Sequence, residues 1–213
     1  MSADTVHRRP ETPRAPKKSD LYSTESAGGF GMRATTTEEA AVGGDMEPSD
    51  LRAAMARFAT GVIVMSVGGE SVHGMTANAF SSVSLVPPSI LCCVAHSAVM
   101  HEAITKERRF GISVLSAEQE ELARYFADKK RPLGPTQYDG VAWKPGPLTG
   151  APLLTGALAW LECELSDSHT SGDHSIFIGD VLGARVGPKD SGLLFFDGAF
   201  QRLRSASPAS ART

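Results

Sequence analysis

The apolar positions of this chain fall into two regimes. Through residue 46 they are scattered without a sustained period among Pro, Ser, Thr, Gly, Ala and charge. Such a stretch cannot bury enough apolar surface to offset its chain entropy, so residues 1–46 are predicted to be a disordered tail. Residues 204–213, rich in Ser and Ala, are predicted to be a second one. Between them, 47–203 carries the periods of one domain. Pro48-Ser49-Asp50 reads as a helix start, and Leu51, Ala54, Met55 and Phe58 recur on one helical face until Gly61. Val62 to Val67 reads as a strand, Gly68-Gly69-Glu70 as a hairpin turn and Val72 to Thr76 as the return strand. Thr76 to Ser84 reads as a small, hydroxyl-rich turn, and Pro87-Pro88 breaks the chain before a strand at Ile90 to Val94. Then come a helix from Ala98 to Lys106, a strand from Phe110 to Leu115, a helix from Ala117 to Phe126 and a long Pro/Gly-rich loop over 127–156. Ala157 to Leu165 alternates, with Ala159, Leu161, Cys163 and Leu165 on one face and Glu162 and Glu164 on the other. Ser175 to Val186 and Leu194 to Phe196 read as the last strands.

Many short strands with two or three helices argue for an antiparallel barrel of mainly β class. No GxGxxG follows a first strand, so a nicotinamide cofactor would not be held as in a doubly wound fold. The length, 213 residues, suits one domain plus tails. With 21 basic and 24 acidic residues the net charge is −3. No basic run is interleaved with aromatics, so nucleic acid is not expected as a partner. Arg8, Arg9, Arg14, Lys17 and Lys18 make the first tail locally basic, as a solvated segment or a docking arm. No apolar run is long enough for a membrane span, and no h-region marks a signal peptide. Cys92, Cys93 and Cys163 show neither disulfide nor zinc spacing and are expected to be reduced core residues, with no metal site. A cytoplasmic location follows.

A flavin needs flat apolar walls, backbone N–H groups at its polar edge, and hydroxyl or N–H donors for phosphate. Thr76-Ala77-Asn78-Ala79 offers small side chains that let a ring approach the backbone. Ser81, Ser82 and Ser84 add hydroxyls. Ser97, before the second helix, reads as an N-cap whose turn could hold an anion. By residue chemistry alone, Thr76 to Ser84 is equally an Asx or Ser/Thr turn, Ser97 equally a plain cap, and Gly172-Asp173-His174 equally a hairpin turn followed by a histidine.

The series Gly61-Val62, Gly74-Met75-Thr76-Ala77-Asn78, Phe80, Ser82-Val83-Ser84-Leu85 and Pro87-Pro88 resembles the opening of the flavin reductase-like, FMN-binding split-barrel family. RFGISVLSAEQEELARYFA, WKPGPLTGAPLLTGALAWLECEL and LLFFDGAF continue the resemblance over about 47–203. It implies an antiparallel split β-barrel and an NAD(P)H:flavin oxidoreductase, the reductase component of two-component monooxygenases. FMN or FAD would be reduced by NADH, possibly by NADPH, and released to the partner monooxygenase. A flavin-binding carrier or store that does not oxidise NAD(P)H is the alternative. A barrel acting through its tail as an interaction protein is a third. The resemblance also implies the site. Backbone around Met75, Thr76, Ala77, Asn78 and Ala79, with Ser81 and Ser82, would face the flavin ring. Val94, Ala95 and His96 would pass its tail, and Ser97 and Met100 would sit by the phosphate. Lys129 to Arg131 would neutralise phosphate or form a solvated basic loop. Phe200 would flank the ring without the hydroxyl of the Tyr often found there. His174 would position the nicotinamide and Asp173 would orient His174 or its turn. The half-covered site of a small split barrel implies a homodimer.

Overall fold

The computed structural model describes residues 46–203; apart from Met46, both predicted tails lie outside the described residues. Helix α1 (Pro48–Ala56) leads into β1 (Thr60–Gly61), β2 (Ile63–Val67) and β3 (His73–Ala77). Strands β4 (Phe80–Leu85) and β5 (Pro88–Ala95), helix α2 (Val99–Glu107), strand β6 (Arg109–Val114) and helix α3 (Glu120–Ala127) follow. Next come the short strands β7 (Trp143–Pro145) and β8 (Pro152–Leu154), the long pair β9 (Ala159–Ser171) and β10 (His174–Val186), and finally β11 (Leu193–Phe196) and β12 (Ala199–Arg202). The main antiparallel sheet runs β3-β2-β6-β9-β10-β5-β4. Its two edge strands, β3 and β4, are joined through Asn78 and Ala79. The other sheets are β1-β11-β12 and β7-β8. Among the described residues, no helix is long and apolar enough to cross a membrane.

Strand β2 is buried on both faces. Alternation sends Ile63, Met65 and Val67 into one core with Cys92, Val94, Met100, Ile104, Phe110, Cys163 and Phe177. Val64, with Val62 just before the strand, joins a second core with Leu115, Ala123, Phe126, Tyr138 and Leu154. Each such large side chain contributes roughly 1.5–3 kcal/mol by leaving water. Burial also pushes the Cys92 thiol well above its usual range and the Cys163 thiol up to about 12.

Several expectations need correction. The expected apolar face covers nothing among the described residues: Leu51 and Met55 of α1, and Phe58 just after it, are all exposed. The hydroxyl-rich stretch is no plain turn, because Phe80–Leu85 pairs with β5 as a strand, and the hairpin turns at a cis Val86–Pro87 peptide. The expected hairpin of β2 and β3 forms, with its turn wound as a 3-10 segment over Gly69–Ser71. The loop over 127–156 contains β7, β8 and a further 3-10 turn at Gly134–Tyr138. Ser66 Oγ donates to Pro152 C=O at 2.6 Å and Ser113 Oγ accepts from Leu154 N–H at 3.0 Å, so β8 is stitched to the barrel. Glu162 alternates with the apolar face as expected, yet it is buried. Its Oε2 accepts from Leu148 N–H, Thr149 N–H and Thr149 Oγ1, each within 2.9 Å, which fixes the Pro147–Thr149 turn. Cys93 is half-buried rather than fully in the core.

Candidate active site

Three segments come together at one end of the main sheet. Ala79 C=O accepts from Cys93 N–H at 3.0 Å, tying the β3–β4 link to β5. Strand β5 then pairs with β10, with His174 opposite Ala95 and Ser175 opposite Val94. Past the last pair, His96 N–H donates to Asp173 C=O at 2.9 Å. The turn before β10 depends on Gly172, whose φ of 60° suits a residue without Cβ. Residues 78–82, 93–97 and 172–175 thus lie side by side, although about 80 positions separate the last two in sequence.

The side chains here are open to solvent. Asn78, Ala79, Ser81, Ser82, His96 and Ser97 are exposed. Met75, Thr76, Ala77 and Ala95 are half-buried. Because β4 is an edge strand, part of its backbone N–H and C=O row is unpaired. Small side chains, exposed serine hydroxyls and a bare backbone edge fit a flat, polar-edged ring. Asp173 and His174 form a pair, Oδ1 to Nδ1 2.7 Å, with side chains 92% and 46% exposed. The hydrogen bond from His174 and its charge hold the Asp173 carboxyl below the usual carboxylate range.

Other candidates stand differently. Thr76 Oγ1 donates to Ala123 C=O at 2.7 Å, and Asn78 Nδ2 donates to Thr60 Oγ1 at 3.2 Å. Ser97 does not cap α2: the N-cap is Ala98, with no side-chain hydrogen bond. Val94 and Met100 are packed into the core, so within the protomer only their backbones can face a ligand. Lys129 is exposed on the turn after α3. Arg131 donates to Gly74 C=O and to Asp128 C=O. Phe200 packs on Phe195 at 5.4 Å between centroids, and Phe195 pairs with Thr60, the partner of Asn78. Among the described residues, no group of three His, Cys, Asp or Glu side chains is placed to hold a metal ion.

A family model described as the flavin reductase like domain matches residues 55–204. The chain belongs to the flavin reductase-like family. An NADH-dependent FAD reductase of Streptomyces globisporus is 48% identical over 161 residues, covering 74% of this chain and 88% of the relative. The reductase component of a 4-hydroxyphenylacetate 3-monooxygenase of Salmonella dublin is 33% identical over 161 residues, covering 75% and 94%. The solved flavin reductase component of a bacterial two-component tryptophan halogenase matches with a TM-score of 0.72 at 46% identity, covering 75% of this chain and 99% of the other.

Sequence reasoning about this flavin reductase-like chain missed three side chains near the site. Ser175 Oγ lies 3.1 Å from His96 Nε2 and 2.9 Å from His101 Nε2. Ser175 is legible only as the first residue of a strand, and no spacing links it to either histidine. Arg124, whose guanidinium lies 5.0 Å over the Phe200 ring and pairs with Glu120, gave no signal beyond its place on α3.

Proposed function

We propose that this chain is an NADH-dependent flavin reductase that reduces FAD or FMN and releases the reduced flavin to a separate oxygenating enzyme. The observation that carries the reading is the hydrogen bond from His96 N–H to Asp173 C=O. It seats the Gly172-Asp173-His174 turn beside the exposed segments that would cradle the ring. In this reading the nicotinamide supplies a hydride and the flavin accepts it; the protein binds, aligns and excludes water. Backbone around Met75 to Ala79, with Ser81 and Ser82, holds the ring. The 94–97 backbone and the Ser97 hydroxyl follow its tail. Phe200 closes one side. His174, oriented by Asp173, meets the nicotinamide. No general acid or nucleophile is required, which agrees with an exposed Asp-His pair rather than a buried triad.

The S. globisporus relative favours NADH and FAD as the substrates. The relatives that are components of a monooxygenase and of a halogenase favour a partner enzyme that consumes reduced flavin. The exposed apolar residues Leu51 and Met55 of α1, Phe58 just after it, and Leu85 and Val86 at the β4–β5 turn support a homodimer whose second copy covers these faces. Use of NADH and three unpaired thiols support a cytoplasmic location. The test follows absorbance at 340 nm with NADH or NADPH and added FAD, FMN or riboflavin. Turnover with NADH and FAD or FMN is expected. Flavin binding without turnover for any pair would leave a carrier or store instead.

A further inference from the structure

Behind the open Asp173–His174 pair lies a second polar group that the reaction as described does not use. Ser175 follows His174 on β10, and its hydroxyl, 3% exposed, is directed inward. It meets two imidazoles through the same kind of atom: His96 Nε2 from the 95–97 segment and His101 Nε2 from α2. The two rings stand edge to face with centroids 5.0 Å apart, and His101 also lies 5.0 Å from Phe177. A serine hydroxyl has one proton to donate and two lone pairs. A buried hydroxyl proton needs an acceptor, and of its two partners here one must offer an unprotonated Nε2. His101 is the more enclosed ring, and burial, then the charge of His96, lower its pKa from the usual value. The shorter of the two contacts, 2.9 Å to His101 Nε2, suits donation by the serine O–H, which assigns His101 the acceptor role in its Nδ1–H form. His96, exposed at the edge, is the ring that donates.

We propose that His96, Ser175 and His101 form a one-way hydrogen-bond chain, Nε2–H of His96 to Oγ and O–H to Nε2 of His101, that makes Ser175 and His101 positioning residues for the nicotinamide-facing turn. The chain joins three elements that the sequence keeps apart: the 95–97 segment, the start of β10 and α2. His96 is held twice, by its ring to Ser175 and by its backbone to the Asp173 carbonyl. Fixing the His96 ring therefore fixes the turn that presents His174. The inference rests on the reductase reading for its kinetic consequence, but not for its hydrogen-bond direction.

The test combines kinetics with imidazole nitrogen NMR on the full chain. In the wild type near neutral pH, His101 is expected to show protonated Nδ1 and bare Nε2. A loosened turn weakens ground and transition states alike, so KM rises while kcat holds. Ser175→Ala and His101→Leu are each expected to raise KM for NADH about tenfold, with kcat changed by less than about twofold, the scale of a lost buried hydrogen bond. His101→Gln, whose Oε1 can accept the serine proton, should recover most of that loss. A protonated Nε2 on His101, an unchanged KM in Ser175→Ala, or a His101→Gln variant as impaired as His101→Leu would each overturn the proposal. If thermal stability falls in Ser175→Ala while KM stays put, the group is packing alone and the proposal fails. A wild type that oxidises no NADH would sink the reductase reading, while the nitrogen shifts would still decide the hydrogen-bond direction.

Discussion

Two of the barrel's histidine clusters make a direct contrast, one sealed and one open. The sealed cluster centres on His73 at the start of β3, which is 4% exposed. Its Nε2 lies 3.2 Å from Arg131 Nη2. A guanidinium can only donate, so Nε2 must be the acceptor and the ring must be neutral. Burial first, and the Arg131 charge second, lower its pKa to about 4. Around it, Gly74 N–H donates to Gln137 Oε1 at 2.8 Å, Gln137 Nε2 donates to Val72 C=O and Gly134 C=O, and Arg131 lies over the Phe126 ring. The open cluster is Asp173 and His174, where the neighbour is an acid and both side chains reach solvent. The same residue type thus serves opposite ends. A donor neighbour and burial make a neutral structural pin, whereas an acceptor neighbour and exposure leave a group free to meet a ligand.

The comparison can be broken from either side. The largest effect is expected at the sealed cluster. A Cβ on Gly74 would come within 2.5 Å of Tyr138 Oη and 2.7 Å of a Phe126 ring carbon. Gly74→Val should therefore cost about 3 kcal/mol or more by overpacking, read as a drop in the urea midpoint. An unchanged midpoint would show that the cluster is loose. At the open cluster, His174→Ala should lower kcat/KM for NADH about tenfold through a lost interaction of ordinary strength, with the flavin Kd and Tm nearly unchanged. A loss of Tm comparable to that of Gly74→Val would erase the distinction between the clusters.

A third contrast is a pH dependence. Unfolded His73 has the ordinary value of 6.5 and folded His73 a value near 4. The unfolded chain then binds the extra proton between those values, so this contribution to stability is present above pH 6.5 and is lost as pH falls towards 4. His73→Gln keeps an acceptor for Arg131 and removes the titration. Its stability should fall less steeply on acidification, by up to about 1.4 kcal/mol per pH unit in that window. Parallel slopes for the variant and the wild type, from urea titrations at pH 5 and 7, would place the folded value of His73 near its ordinary one.

Local pattern made much of this readable. The alternation of β9, the β2–β3 hairpin and the two helices α2 and α3 follow from period and turn chemistry. What escaped depends on long-range closure. Strand β4 is rich in exposed serine because it is an edge, and an exposed serine run is locally identical to a turn. Glu162 sits where alternation promises solvent, but the Pro147–Thr149 turn folds over it and supplies three donors. At the candidate site, the resemblance marked both Asp173–His174 and the 94–97 segment. Their adjacency comes from the β5–β10 register, and the Ser175 bridge to His101 spans 74 positions that no motif connects.

The thiols of the barrel carry a further consequence. Reduced flavin that escapes its acceptor reacts with dioxygen and yields hydrogen peroxide, so a protein that produces it works beside an oxidant of its own making. Peroxide attacks the thiolate, not the thiol. Cys92 and Cys163 are fully enclosed, and burial holds both in the protonated form. The core that shapes the barrel therefore also keeps two of its three thiols off the first rung of oxidation, a protection that lasts only as long as the fold stays closed.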